Sequence, residues 1–149
     1  MWSGISSKAV VGSPAVSASS WLPPPSGCLK LNTDATIRSN SGWIGAGAVI
    51  RNEKGWVVAV SSRPIQGFFS VVSGELIALR DGLLLAKRLG LLVQWVEVDS
   101  SSVIFLVKGA TVDFDENGCV VSDILALFKD VGVLNVMLFQ DLEMIWPIA

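Results

Sequence analysis

The apolar period of this chain changes once, near Ser70, and that change restricts the fold more than any other feature. Before it, Leu29 to Thr36 alternates, with Leu29, Leu31 and Thr33 on one side and Lys30, Asn32 and Asp34 on the other. Arg38-Ser39-Asn40-Ser41-Gly42 reads as a turn, Gly45 to Arg51 as a second strand, Asn52-Glu53-Lys54-Gly55 as a second turn, and Trp56 to Ser62 as a third strand. Such short turns imply an antiparallel meander. From Ser70 onward, Val72, Leu76, Leu79, Leu83 and Ala86 recur at helical spacing. Arg80, Asp81, Lys87 and Arg88 fall mostly on the other side, and Gly90 is a natural stop. Val93 to Val98 is an apolar, β-branched run interrupted by Gln94, Trp95 and Glu97, which predicts a fourth strand. Ser100 to Lys108 predicts a short helix, Thr111 to Gly118 an acidic loop, Val120 to Lys129 another helix, and Leu134 to Phe139 a fifth strand. This order predicts an α/β domain, a mixed sheet with helices packed on it.

A chain of 149 residues is enough for one domain with a real core. Met1 to Ser20 is rich in Ser, Ala, Gly and Val and has the composition of a disordered leader or linker. The apolar stretch Ala9 to Val11 is too short for a good secretory signal. The domain is expected to start at Trp21, where Pro23-Pro24-Pro25 stiffens the chain and Gly27 releases it into the first strand. The apolar content of 51% and mean hydropathy of +0.58 are high, yet no apolar run is long enough to span a bilayer, so no membrane partner is expected. A net charge of −2 provides no general pull toward nucleic acid, so such binding needs a local patch or a metal. The absence of histidine excludes Ser-His-Asp triads, Cys-His pairs and His-ligated metals. Cys28 and Cys119 are isolated thiols, which argues against a disulfide framework or a zinc site. Two-carboxylate glycosidase chemistry is open in principle but has no local motif here.

Three carboxylates end or open these elements. Asp34 closes the first strand, Glu75 lies near the start of the first helix, and Asp99 follows the fourth strand. Each has an ordinary explanation. Asp34 suits a turn, Glu75 complements the helix dipole, and Asp99 suits a helix N-cap. Together they suggest more. If the first and fourth strands are neighbours, the three acids meet in the crevice outside the strand ends, where open α/β sheets bind ligands. Close carboxylates repel each other and call for a cation. Hard oxygen donors favour Mg²⁺ or Mn²⁺. Two such ions roughly 4 Å apart activate a water and stabilise the leaving oxygen of a phosphodiester.

At these residues the chain resembles a known family, the plant ribonuclease H-like domain related to the reverse-transcriptase-associated, type 1 ribonuclease H of retrotransposons. The resemblance is carried by Trp21-Leu22-Pro23-Pro24-Pro25-Ser26-Gly27, Lys30-Leu31-Asn32-Thr33-Asp34-Ala35, Gly45-Ala46-Gly47-Ala48-Val49-Ile50-Arg51, Glu75-Leu76-Ile77-Ala78-Leu79-Arg80-Asp81-Gly82-Leu83 and Val96-Glu97-Val98-Asp99-Ser100. It runs from about Trp21 to Phe139. It implies a five-stranded mixed sheet in order 3-2-1-4-5, with Asp34, Glu75 and Asp99 at three of four metal-ligand positions. It also implies two Mg²⁺ (or Mn²⁺) ions and hydrolysis of the RNA strand of an RNA–DNA hybrid. Asp34 would bridge both ions, Glu75 would bind one and help position the attacking water, and Asp99 would complete the coordination. Arg38, Ser39 and Asn40 lie where the family contacts the hybrid backbone, although an ordinary polar turn explains them equally well. Trp43, Trp56 and Trp95 have the rings to stack bases, but packing against the sheet is the more economical expectation.

Residues 140–149 depart from the family, which continues into a loop and a last helix carrying the fourth ligand. Asp141 and Glu143 are acidic, but their context does not match and the role is not transferred to them. A neighbouring-frame reading of possible codons resembles the family's usual continuation, which suggests a frameshift or a misannotated exon. The expected organisation is therefore a leader over 1–20, a ribonuclease H-like domain over 21–139 and an aberrant tail over 140–149. Impaired catalysis is expected, as is an apolar sheet face that a protein partner would cover. A catalytically inactive nucleic-acid-binding module and a non-functional retrotransposon-derived fragment are the alternatives.

Overall fold

The computed structural model describes residues 21–38, 40–109 and 117–139 and the backbone of 145–147. The expected leader and most of the expected tail lie outside the described residues. The chain forms β1 (Lys30–Ile37), β2 (Trp43–Arg51), β3 (Val57–Gln66), α1 (Val71–Arg88), β4 (Trp95–Val98), α2 (Ser101–Lys108), α3 (Gly118–Val131), β5 (Asn135–Leu138) and β6 (Ile145–Pro147).

β1, β2 and β3 form the expected antiparallel meander, while β4 pairs parallel with β1 and β5 parallel with β4. The five strands stand in the order 3-2-1-4-5. A sixth short strand, within the stretch expected to be an aberrant tail, pairs antiparallel with β5. β3 runs to Gln66, beyond the expected Ser62, because its register with β2 continues to Trp43↔Gln66. Pro64 is tolerated there because β3 is an edge strand.

The core lies between one sheet face and the helices. Leu31, Ala48, Ile50, Val96, Val98 and Val136 from the sheet meet Leu76, Leu79, Leu83, Ile124 and Phe128 from α1 and α3. Leu76, Leu79 and Leu83 are fully buried, and each such side chain contributes about 1.5–3 kcal/mol. The helical spacing read from the sequence is thus the face that packs. Two glycines set how closely α1 approaches β1. A Cβ at Gly74 would stand 2.9 Å from Ile37 Cδ1, and one at Gly82 would stand 2.9 Å from Thr33 Cγ2 and 3.1 Å from Ala48 Cβ. Ion pairs link the exposed rims, with Arg63 of β3 bound to Asp81, and Lys87 of α1 to Asp130 of α3.

Side chains alternate along a strand, so Lys30, Asn32 and Asp34 occupy the face away from α1. On that face Lys30 Nζ lies 2.6 Å from Glu97 Oε2, and both side chains are only 2% exposed. Asn32 Nδ2 donates to Glu97 Oε1 at 2.8 Å, Trp21 Nε1 donates to Asn32 Oδ1 at 2.9 Å, and Lys30 Nζ donates to the Leu22 carbonyl at 2.7 Å. The Trp21 ring covers Lys30 and Arg51, 5.3 and 5.0 Å from its centroid. The N-terminal segment thereby seals a buried polar layer. By contrast, the expected packing of Trp43 and Trp56 against the sheet does not occur. Both are largely exposed, and Trp56 lies under Lys54 instead, because the turns place them at strand ends where little stands above them. Trp95 is partly buried.

Two stability changes are expected. Gly82→Val should lower unfolding free energy by about 1–3 kcal/mol, since Ala48 Cβ cannot move without its backbone. Thr33 Oγ1 is buried without a hydrogen-bond partner, so Thr33→Val should raise stability by about 1 kcal/mol. Urea denaturation of each variant beside the wild type measures both.

Candidate metal centre

Asp34 lies on β1 two residues beyond the last β1–β4 rung, Asn32↔Glu97. Its antiparallel partner on β2 is Gly47, which places no side chain beside it. Asp34 is therefore at the end of the parallel pairing but not of the strand, which continues with β2 to Ile37. Glu75 lies in the second turn of α1, one turn deeper than a dipole-complementing acid, and is 8% exposed. The helix start is capped by Ser70, whose side chain accepts from the Ser73 amide. The close approach permitted by Gly74 brings this turn over Ala35, whose backbone amide donates to the Glu75 carboxylate. Asp99 directly follows β4. The cap of α2 is Ser100, whose Oγ accepts from the Val103 amide at 3.3 Å, so the helix does not need Asp99 as its cap.

The three carboxylates meet. One oxygen from each of Asp34, Glu75 and Asp99 lies within 4.8 Å of the others. Asp99 is exposed, Asp34 half-buried and Glu75 buried. Burial, then the charge of Asp99, then that of Asp34 push the Glu75 carboxyl up to about 8, against a smaller opposing effect of the Ala35 amide. An acid surrounded in this way resists ionisation. A divalent cation would offset both the desolvation and the repulsion, and three hard oxygen donors match Mg²⁺ or Mn²⁺. The residues present fit such an ion.

A cavity of about 220 Å³ opens beside the cluster, lined by Asp34, Asp99, Asn32, Glu97, Arg51 and Trp21 among others. Burial pulls the Arg51 guanidinium below its ordinary range, with Glu97 opposing that shift. Sequence reasoning missed this layer, because Glu97 reads there as an interruption of an apolar strand. The available signal was its period-two relation to Asp99, matched by that of Asn32 to Asp34. Arg38 and Asn40 are both exposed in the turn after β1, where Asn40 takes a left-handed conformation (φ 67°). Arg38 lines a separate groove with Thr36, Trp43, Ser62 and Pro64. Ser39 lies outside the described residues. Cys28 and Cys119 are free thiols. Among the described residues no helix is long and apolar enough to cross a membrane.

Solved structures share the fold. Ribonuclease H1 of the halophilic archaeon Halobacterium salinarum superposes with a TM-score of 0.65 at 21% identity, covering 75% of this chain and 85% of that one. The N-terminal ribonuclease H domain of a Mycobacterium tuberculosis protein gives 0.59 at 25%, covering 68% and 74%. LC11 ribonuclease H1, solved in complex with an RNA/DNA hybrid, gives 0.64 at 23%, covering 74% and 83%. No curated protein matches the chain by sequence. Residues 32–139, well over half of the chain, match the family described as reverse transcriptase-like. The chain therefore belongs to the reverse transcriptase-like family, and its fold is that of a ribonuclease H-like domain.

Proposed function

We propose that this domain hydrolyses the RNA strand of RNA–DNA hybrids at a divalent-metal site formed by Asp34, Glu75 and Asp99. The observation that carries the reading is the convergence of these three acids within 4.8 Å. Ribonuclease H-like architecture and the capture of an RNA/DNA hybrid by one solved structural neighbour support it. When bound, two Mg²⁺ or Mn²⁺ ions would supply an activated water and charge stabilisation at the scissile phosphodiester.

In this proposal Asp34 would help to hold both ions. Glu75, whose carboxyl is pushed up to about 8, would hold one ion and help position the attacking water. Asp99, the most exposed of the three, would complete the set. Arg38, Ser39 and Asn40 contact the hybrid backbone. Among the side chains of the cluster none is a nucleophile suited to the reaction, so water takes that role. The motif set also supports a plant, retrotransposon-related origin. On these three acids alone the proposed activity is impaired. The proposal includes a protein partner that covers the exposed part of the sheet.

Two outcomes are expected. Purified protein with Mg²⁺ should cleave a labelled RNA–DNA hybrid, and Asp34→Asn should reduce cleavage by at least roughly 100-fold. Hybrid binding without any cleavage would convert the reading to an inactive binding module. The second outcome concerns pH. Glu75 titrates higher in the folded chain (about 8) than its ordinary value of 4.5, so the folded state binds its proton more tightly. Stability in chelator should therefore be greatest below about pH 4.5 as far as this group is concerned, and should fall as pH rises to about 8. At about 1.4 kcal/mol per unit of displaced pKa, the fall is on the order of a few kcal/mol. Glu75→Gln should flatten it in thermal melts. Mg²⁺ affinity should rise with pH up to about 8, with proton release seen by calorimetry in two buffers of different ionisation enthalpy.

A further inference from the structure

We infer that Asn32 and Glu97 are positioning residues whose side-chain bridge across the last β1–β4 rung sets the separation of Asp34 and Asp99. The inference rests on the metal reading above for its functional meaning. β1 and β4 pair over Lys30↔Trp95, Leu31↔Val96 and Asn32↔Glu97. Beyond that rung the strands part. β1 stays with β2 as far as Ile37, and the chain leaves β4 after Val98 to enter α2. Asp34 lies two residues past the rung on β1, on the same face as Asn32, and Asp99 lies two residues past it, directly after the end of β4. Their spacing is therefore a splay, governed by whatever holds the rung.

Side chains hold it. Asn32 Nδ2 donates to Glu97 Oε1 at 2.8 Å, directly across the rung. The other Glu97 oxygen takes Lys30 Nζ at 2.6 Å. Trp21 Nε1 donates to Asn32 Oδ1 at 2.9 Å, so the Asn32 amide is engaged at both ends. With both carboxylate oxygens occupied and 2% of the side chain exposed, Glu97 cannot rotate without breaking a buried bond. The same residues line the cavity that opens at Asp34 and Asp99. Partners behind metal-binding groups commonly change metal affinity 10- to 100-fold when removed.

Removing Glu97 alone would leave Lys30 buried and uncompensated, a change severe enough to prevent folding. The test therefore uses Asn32→Ala, which breaks the bridge and leaves the ion pair. Lys87→Ala, from the exposed pair with Asp130, controls for lost stability alone. Mn²⁺ binding is measured by calorimetry at one pH, well below each melting temperature, and crystal structures give the Asp34–Asp99 carboxylate separation. Asn32→Ala should lower Mn²⁺ affinity about tenfold or more and widen the separation by about 1 Å. Lys87→Ala should keep wild-type affinity. An unchanged separation, or an unchanged affinity in folded Asn32→Ala, overturns the inference while leaving the metal reading intact. Wild-type protein that takes up no Mn²⁺ overturns the metal reading instead, and the separation alone then decides the positioning claim.

Discussion

The parallel pairing of β1 with β4 is the constraint on which the rest of this structure depends. Parallel neighbours cannot be joined by a tight turn and need a long crossover. Here the connection first extends the sheet through β2 and β3 and then crosses it as α1. All three carboxylates come from this unit: Asp34 from one strand, Asp99 from the end of the other, and Glu75 from the crossover helix. The pairing spans only three rungs, and the buried Lys30–Glu97 pair straddles them. A short parallel junction locked by side chains is what brings distant acids together.

Bringing them together is unfavourable by itself. Glu75 is pushed up to about 8 by burial and by its two neighbours, so the cluster is destabilising in its fully ionised form. The fold tolerates it because the packing that forces it is strong and lies elsewhere. Leu76, Leu79 and Leu83 continue the same helix into the core. Gly74 and Gly82 let that helix rest directly on β1 and β2. The helix thus acts as a lever whose apolar end is fixed and whose first turns carry an acid toward two others. A cation bound there would relieve the repulsion that a proton relieves at lower pH.

Much of the architecture was legible in the chain. The change from period two to helical period at Ser70 separated the meander from α1, and Gly90 marked where α1 ends. The strand order came from the family resemblance, because strand pairing is a long-range choice that periodicity does not encode. Boundaries moved where pairing continued past an apparent turn, as at β3, or where the chain added β6 to the free edge of β5. The acids at 34, 75 and 99 stood out because each interrupts or ends a regular element. Lys30, Asn32 and Glu97 did not, since each looks like an ordinary polar residue on an alternating strand. Trp43 and Trp56 depart from expectation because an aromatic ring signals burial only when another layer lies above it.

By itself the sequence determined which residues face one another along each element, since alternation and helical spacing follow from backbone geometry alone. It also determined which chemistry was excluded, because a chain without histidine cannot assemble a His-dependent site. Only the tertiary structure decided that three acids dozens of residues apart converge within 4.8 Å, and that a lysine and a glutamate are buried against each other nearby. Those outcomes depend on sheet order, register and the depth to which a helix sinks onto its strands. They are set by the whole packed core, and no local stretch of residues carries them.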